Sequence, residues 1–415
     1  NVLVGILLVR LLGIDGYGVY SFVLSAVVIL YIPAEFGFPN LLIRETAKGI
    51  INNEPHRVKG IWRWSTKITG MITIVLIVLS SLVVFLLFRL NRLSQLELYT
   101  FLVGFALVPV LAYLHLVRGV MQGLKRIILG LLPEQVIVPV LYIVVLLVFL
   151  VVPAFDLDPF WAMAIRLGVT LIAFLVGFVL IQRSFPINVR QAKPFYEGKL
   201  WFQSSMVMAV SNGLMMIKNR ANVLLLGILA TSFDVGGYQI ALNGSLIASI
   251  ILNSTNMVLA PRFSDLYFSG KKKKLQRLVS LHSNFVFFSN IVMTILYIFF
   301  GEFLLSLLFG ADAVVAYQPL LILLVGQVVN SFVGSVSYLL NMTGHEKQAM
   351  WSSGISLGVS IILNLVLIPT LGMVGSAIAT SFSQALVQLI MWWLVKKYLG
   401  INSMAIVGSS LRVAD

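Results

Sequence analysis

The sequence predicts an all-α polytopic membrane protein of about twelve transmembrane helices, and three observations lead to that fold class. Hydrophobic residues make up 59% of the 415 residues and charged residues only 11%, whereas soluble domains carry about 25% charged residues. Apolar runs of about 20 residues, each long enough to cross a bilayer, recur along the whole chain. These runs are too long and too uniformly apolar for the alternating strands of a membrane barrel, so helices are expected.

The apolar runs define the predicted spans, with ends that vary by several residues. They are residues 1–12, 19–43, 68–88, 99–120, 127–152, 160–181, 202–229, 236–259, 281–309, 317–341, 351–371 and 374–395. Residues 1–12 would rise only about 18 Å as a helix. We therefore expect a first helix that is cut at its start, with no cleavable signal peptide.

The distribution of lysine and arginine predicts the orientation. Most of the 29 basic residues fall in alternate connections, including the lysine run 271–274, while the opposite connections hold only Arg89 and Arg92. Basic connections face the cytoplasm, so we expect a multi-pass protein of the cytoplasmic membrane with both ends of the chain inside. The net charge of +14 then reflects topology, and no nucleic-acid partner is expected.

Weak internal matches at a common offset of about 220 residues predict a duplicated architecture. Tyr20 matches Tyr238, and Pro39 matches Pro261. Six helices per repeat give both halves the same orientation, so their repeat axis runs along the membrane normal. The predicted domains are an N-terminal six-helix bundle (1–183), a cytoplasmic linker (184–200), a C-terminal six-helix bundle (201–397) and a tail (398–415). Two such bundles would enclose a central cavity, which is the layout of an alternating-access transporter.

The sequence carries no motif for enzymatic chemistry. It has no cysteine, and its 4 histidines are scattered at or near span ends without metal-ligand spacing. Neither a phosphate-binding glycine loop nor a nucleophile elbow is present. We therefore expect a transporter with no catalytic residue, no metal and no cofactor.

Several turn and packing motifs follow one another along essentially the whole chain. They are Leu11-Leu12-Gly13-Ile14-Asp15-Gly16-Tyr17-Gly18-Val19-Tyr20, Glu35-Phe36-Gly37-Phe38 with Arg44-Glu45, Gly237-Tyr238, Pro261-Arg262-Phe263-Ser264, Thr343-Gly344-His345-Glu346-Lys347, and Asn364 with Pro369, Gly372, Gly375 and Ala377. In this order they resemble the Wzx-type polysaccharide flippases of the multidrug/oligosaccharidyl-lipid/polysaccharide (MOP) superfamily. The resemblance implies a MATE-like fold and export of a polyprenyl-pyrophosphate-linked oligosaccharide for polysaccharide biosynthesis.

Other functions remain open alongside that resemblance. A lipid II flippase would share a cationic cavity, and a multidrug or cation antiporter of the same superfamily would need more acidic groups than this chain offers. A membrane glycan polymerase or ligase is the alternative from the enzyme class. Such enzymes usually present a large outer loop, whereas the longest outer connections here are about ten residues.

Ionisable residues inside predicted spans are the candidate substrate-binding residues, because burying a charge in a bilayer is costly. They are Lys218, Arg220, Arg166, Arg10 and Arg118. Arg10 and Arg118 lie near span ends and could equally snorkel to the interface. Lys218 and Arg220 are two residues apart and point about 200° from each other on an unbroken helix, so Lys218 is the stronger candidate for the cavity.

One carboxylate and several polar side chains complete the predicted cavity. Glu35 is either the buried partner of a cation or a proton relay for a coupling ion, H⁺ or Na⁺. The polar wall that would meet sugar hydroxyls consists of Gln239, Asn243, Asn253, Gln327, Tyr338 and Asn364. Hydrogen bonding between helices is the alternative role for these side chains. The predicted partners are the lipid bilayer and the lipid-linked glycan, whose pyrophosphate the cations would neutralise, and we expect a monomer.

Overall fold

The computed structural model describes residues 2–152 and 156–405, apart from the side chains at positions 207, 210–212, 215, 219 and 251. Asn1, at the start of the predicted first span, and residues 406–415 of the predicted tail lie outside the described residues. The residues just before this limit are packed on the protein. Asn402 donates its backbone N–H to Gln276 Oε1 (2.8 Å), and the Ser403 hydroxyl donates to the carbonyl of Val333 (2.8 Å).

The described residues form helices and connecting turns, with no β-strand among them. The α-helices are α1 Val2–Glu35, α2 Phe38–Ile51, α3 Pro55–Arg89, α4 Gln95–Gly123, α5 Ile127–Leu132, α6 Val138–Val151, α7 Pro159–Ser184, α8 Ile187–Gln191, α9 Gly198–Leu229, α10 Ser232–Phe268, α11 Lys272–Phe309, α12 Tyr317–Val333, α13 Val336–Met342 and α14 Glu346–Leu399. A π-helical turn, Pro133–Ile137, joins α5 to α6, and a 3₁₀ turn, Ala311–Ala316, precedes α12.

The predicted fold class, a polytopic helical membrane protein, is confirmed. Within the described ranges, 8 helices are long and apolar enough to cross a membrane, and a bent pair within α10 raises the number to 9. Two of these helices each hold two predicted spans. α1 is interrupted at Gly13 (φ 69°, ψ −179°), and α14, 54 residues long, is interrupted at Gly372 (φ 51°, ψ −129°). The prediction of about twelve spans agrees with this architecture.

Two predicted spans were expected to be continuous helices, and the structure interrupts both of them. The predicted span 19–43 stops at Glu35, because Phe36 (φ 46°) and Gly37 (φ 69°) adopt left-handed conformations before α2 begins. The predicted span 317–341 is likewise interrupted at Gly334 (φ 82°) between α12 and α13. Both interruptions lie among polar or turn-forming residues, Glu35 and Pro39 in the first case and Asn330 and Ser335 in the second, but the apolar residues on either side led to a single predicted span.

The chain forms two compact units, Leu3–Arg220 and Ala221–Asp415, the second described to residue 405. The first unit has a core around Phe38, Leu41, Ile61, Leu116 and Trp201. The second has a core of its own. It includes Phe263, Leu275, Val336, Leu339 and Val395. The division between the units falls inside α9, about 20 residues after the predicted linker 184–200. The predicted linker itself contains the short helix α8. The predicted domain boundaries therefore remain a prediction.

The break at Gly372 should be sensitive to a single methyl group. A Cβ at this position would meet the carboxylate of Asp234, with Cγ at 3.1 Å, and Asp234 Oδ1 accepts the Met373 N–H at 3.0 Å. Gly372→Ala should lower the free energy of unfolding by about 1–3 kcal/mol, since a positive φ also strains alanine. Thermal unfolding in detergent measures this loss.

Gly358→Ala is the matched control on the same helix, because a Cβ there meets nothing within 4 Å. Removing a helix-interior glycine at an open position should leave the unfolding temperature unchanged or raise it slightly. Equal unfolding temperatures for the two variants would contradict the role of Gly372.

Candidate functional site

An arginine of α7 lies within the membrane-spanning part of the first unit, held by tyrosines. Arg166 is half-buried and donates from Nη1 to the Tyr20 hydroxyl at 3.0 Å. Its guanidinium carbon lies 5.8 Å from the centre of the Tyr142 ring, a cation–π distance. Tyr142 is fixed in turn, because its hydroxyl donates to the Ala162 carbonyl at 2.9 Å. The tyrosines therefore orient the guanidinium and leave its charge in place.

The charge of Arg166 is not offset by a carboxylate. Among the carboxylates that the structure describes, none forms an ion pair with Arg166. Tyrosine hydroxyls are neutral, so they satisfy donors without cancelling charge. An uncompensated cation within a membrane span is costly to keep and attracts anions. Arg166 thus stays a candidate substrate-binding residue.

A second polar cluster in the same unit is a chain of four ionisable side chains. His115 of α4 is 3% exposed and contacts Glu35 Oε1 through Nδ1. Its Nε2 lies 3.0 Å from Glu134 Oε1. The other oxygen of Glu134 accepts from Arg118 Nη1 at 3.0 Å. With both carboxylates ionised, both ring nitrogens must donate, which only an imidazolium does. We call these four residues the Glu35–Arg118 chain.

The Glu35–Arg118 chain lowers the number of uncompensated positive charges expected in the site. Arg118 is paired with Glu134, so it is not an uncompensated cation, and Glu35 pairs with a histidine, which was not among the predicted cations. Glu134 and His115 were both missed. Glu134 follows Pro133 in an apolar run, and its π-helical turn is an irregularity often found at functional sites. His115 and Arg118 are three residues apart on one helix face, and that spacing was the available signal.

The remaining predicted cations differ in environment. Arg220 is half-buried and interacts electrostatically with Tyr31 and Arg166, but it makes no described contact with Arg166. Lys218 is also half-buried and has no described hydrogen-bond or ion-pair partner. α9 is helical through both positions, so their side chains diverge as predicted. Arg10 is exposed.

One predicted wall residue, Asn364, belongs to a cluster of hydrogen-bonded side chains in the second unit, with Asn222 at its centre. Asn222 Oδ1 accepts from Ser360 Oγ (2.9 Å) and from Asn364 Nδ2 (2.9 Å). Its Nδ2 donates to Thr380 Oγ1 (2.7 Å), which also contacts the Tyr238 hydroxyl (2.8 Å). Asn364 is 0% exposed. The alternative role, hydrogen bonding between helices, therefore describes Asn364.

The other predicted wall residues make weaker contacts. Gln239 and Asn243 are buried and lie 3.3 Å apart, and Asn253 is exposed and donates to Ser249 at 3.4 Å. Gln327 is buried and accepts from Asn330 at 3.4 Å. Tyr338 packs against the apolar core of its unit. The long bonds of Gln239, Asn253 and Gln327 leave hydrogen-bonding capacity that sugar hydroxyls could use, whereas Asn243 has a further interaction within the protein.

The arrangement suits the binding of an anion and the holding of a proton. Arg166 and Arg220 supply positive charge in a low-dielectric region, where it attracts phosphate oxygens strongly. The two carboxylates of the Glu35–Arg118 chain bind opposite nitrogens of one ring and do not converge on an ion. Among the described residues, no group of three or more His, Cys, Asp or Glu could hold a metal.

Comparison with known proteins finds matches among polysaccharide biosynthesis proteins and membrane transporters. A family model described as polysaccharide biosynthesis protein matches residues 1–267, and the MatE family model matches residues 208–366. A probable low-salt glycan biosynthesis flippase of Haloferax volcanii is 28% identical over 172 residues, which are 40% of this chain and 35% of that protein. An uncharacterized membrane protein of Methanocaldococcus jannaschii is 26% identical over 238 residues, covering 54% of this chain and 45% of that protein. The chain thus spans less than half the length of these relatives.

Solved structures share the fold at low sequence identity. An inward-facing multidrug resistance transporter of the MATE family in the MOP superfamily superimposes with a TM-score of 0.77 at 14% identity, covering 96% of this chain and 94% of that one. The lipid II flippase MurJ in an inward closed conformation superimposes with a TM-score of 0.74 at 13% identity, covering 99% and 86%. A MOP superfamily transporter of Pyrococcus furiosus, whose report concerns a binding pocket of reversed polarity, gives 0.62 at 13% identity, covering 96% and 91%.

Proposed function

The chain belongs to the polysaccharide biosynthesis protein family of the MOP superfamily, and on that premise we propose that it is a flippase for a polyprenyl-pyrophosphate-linked oligosaccharide. It would move this lipid across the cytoplasmic membrane by alternating access, with the basic connections and both chain ends on the cytoplasmic side. The match to a glycan biosynthesis flippase supports the cargo class, because that relative serves glycan synthesis.

The uncompensated cation Arg166 is the observation that carries this proposal. A pyrophosphate crossing a bilayer has to be neutralised, and arginine binds phosphate oxygens in a planar fork. Tyr20 and Tyr142 orient Arg166. No carboxylate among the described residues forms an ion pair with it. Arg220 adds a second positive charge nearby. A transporter of cationic drugs would need the opposite polarity.

The proposed binding set is narrower than the one predicted. Arg166, Arg220 and Lys218 bind the pyrophosphate, and the exposed Arg10 is kept as a fourth cation. Arg118 moves to a positioning role, since Glu134 already accepts its hydrogen bond. For the sugar we keep Gln239, Asn253 and Gln327, whose hydrogen bonds within the protein are long, together with Asn243 beside Gln239.

The Glu35–Arg118 chain is the proposed coupling element, with H⁺ as the ion. Two carboxylates, one imidazole and one guanidinium share a small number of protons in a buried position. Adding or removing one proton changes the net charge of these four side chains, and a net charge raises the free energy of the protein in a low-dielectric setting. Protonation and the conformation of the surrounding helices should therefore be linked.

Purified protein in liposomes separates the proposed function from its alternatives. With a fluorescent lipid-linked oligosaccharide, lipid II and a cationic dye as cargoes, we expect transport of the oligosaccharide at least tenfold faster than transport of the others. Faster transport of lipid II would favour a cell-wall flippase, and faster transport of the dye would favour a drug antiporter. A glycan polymerase or ligase would instead lengthen or transfer the glycan, which chromatography of the recovered lipid detects.

A further inference from the structure

A basic pocket with an aromatic wall lies in the first unit, and Arg166 is not among its lining residues. Its volume is about 350 Å³. The lining comes from α3, α7, α8 and the turn between α7 and α8. It includes the cations Lys59, Arg63 and Arg190 and the aromatic residues Trp62 and Phe185. Since this volume is in the range of small-ligand pockets, the question is what chemistry it accepts.

Two of the cations are positioned by backbone carbonyls. Lys59 Nζ donates to the carbonyl of Arg190. Arg190 donates from Nε to the carbonyl of Phe185 at 3.1 Å and from Nη2 to that of Gln182. Carbonyls hold the groups in place without cancelling their charge. The pocket therefore presents a fixed positive charge.

The acidic residues on this side of the unit are bound elsewhere. Arg57 pairs with Glu45 (3.1 Å), Glu54 (3.7 Å) and Glu197 (2.8 Å), and Glu45 also pairs with Arg44 (3.0 Å). In the described part of the chain, none of these carboxylates forms an ion pair with Lys59, Arg63 or Arg190. The pocket cations thus lack an anion from the protein and can accept one from outside.

The wall beside these cations is apolar and partly open to the bilayer. The ring centres of Trp62 and Phe185 lie 6.2 Å apart, and Phe178 is exposed. α3 is 35 residues long, about 15 more than a span requires, so its first turns extend past the hydrocarbon core. Lys59, Arg63 and Lys67 follow at intervals of four on one face of that extension. The cations therefore lie at headgroup depth, with the aromatic wall towards the acyl chains.

We propose that this pocket binds the phosphate of an anionic membrane phospholipid, with the glycerophosphate on Lys59, Arg63 and Arg190 and the first part of an acyl chain on the aromatic wall. Basic pockets between membrane helices bind anionic headgroups in this manner. The proposal does not depend on the cargo, since a bound resident lipid would anchor α8 to α3 whatever the protein transports.

Native mass spectrometry of the full chain in mild detergent tests the assignment with three probes: phosphatidylglycerol, phosphatidylcholine and free glycerol 3-phosphate. We expect saturable binding of phosphatidylglycerol, at least tenfold tighter than that of the other two. Equal binding of phosphatidylcholine would show that charge is not recognised, and equal binding of glycerol 3-phosphate would show that the apolar wall is not used. Either result overturns the proposal.

A matched pair of variants locates the site. Arg63→Gln should weaken phosphatidylglycerol binding at least fivefold, whereas Lys67→Gln, the same change one turn further along α3 and outside the pocket lining, should change it less than twofold. The guanidinium of Arg63 has no hydrogen-bond or ion-pair partner among the described residues, and the Thr66 hydroxyl donates to Arg63 only at the backbone carbonyl, so replacing the side chain spares the fold. Equal effects of both variants would mean non-specific charge attraction. Displacement of phosphatidylglycerol by an equal concentration of a polyprenyl pyrophosphate would assign the pocket to the cargo and overturn the resident-lipid proposal.

Discussion

The double variant Arg166→Gln with Lys218→Gln should flip a lipid-linked oligosaccharide about a hundredfold more slowly than the parent protein in liposomes. Each cation that binds phosphate through charge-assisted hydrogen bonds contributes about 1.5–3 kcal/mol, and 1.4 kcal/mol is about tenfold. Arg166 alone should account for about tenfold of the loss. The measurement is the initial rate of flipping per folded protein, with folding checked by gel filtration and thermal unfolding.

Two further variants separate charge from other causes. Arg166→Lys keeps a positive charge but loses the fork, so it should recover part of the rate. Tyr20→Phe keeps the arginine and removes its orienting hydrogen bond (3.0 Å), so it should slow flipping less than Arg166→Gln. Arg89→Gln is the control, because Arg89 is exposed at the end of α3 and stacks on Phe85 at 5.5 Å. Its rate should equal that of the parent.

The charge mechanism would be abandoned if the folded double variant flipped the lipid at the parent rate. A loss of flipping by the Arg89→Gln control as large as that of Arg166→Gln would also contradict it. Transport would then depend on overall charge at the membrane surface and not on the arginine within the helices.

Much of the fold could be predicted from the sequence because lipid leaves few options for the backbone. Long apolar runs must be helices, and the breaks at Gly13 and Gly372 fall at the ends of predicted spans. The span assignment ran through the interruptions at Phe36–Gly37 and Gly334, although each glycine has turn-forming neighbours, Pro39 in the first case and Ser335 in the second. A glycine alone does not decide a break, because its left-handed conformation also depends on packing against neighbouring helices.

The candidate site was harder to predict for a similar reason. Arg166, Lys218 and Arg220 could be identified singly, since each is a charge in an apolar run. The partners of Arg118 and Glu35 could not, because Glu134 lies 16 positions from Arg118 and His115 lies 80 positions from Glu35. Pairing over such separations is decided by which helix faces meet, and a span assignment does not contain that information.

The Glu35–Arg118 chain leads to the second prediction, in which Glu35→Gln abolishes the stimulation of flipping by a pH gradient. The amide cannot ionise, so the chain loses one of the groups among which its proton is distributed. Flipping without a gradient should continue at a rate near that of the parent. His115→Gln should also remove the stimulation, and should lower the free energy of unfolding by about 3–5 kcal/mol, because it leaves the buried carboxylate of Glu35 without a positive partner, while Glu134 keeps Arg118.

A double-mutant cycle on Glu35 and His115 shows whether the two residues act as one unit. If they do, adding Glu35→Gln to His115→Gln should restore about 1–3 kcal/mol of stability, since the carboxylate that His115→Gln leaves unpaired is replaced by a neutral amide. Glu45→Gln is the matched control, because Glu45 is also buried (3% exposed) but pairs with Arg44 and Arg57. It should reduce stability and leave the gradient response unchanged. A Glu35→Gln protein that still responded fully to the gradient would contradict the proposal. The Glu35–Arg118 chain would then be a structural contact only, because its proton would not be the one that drives transport.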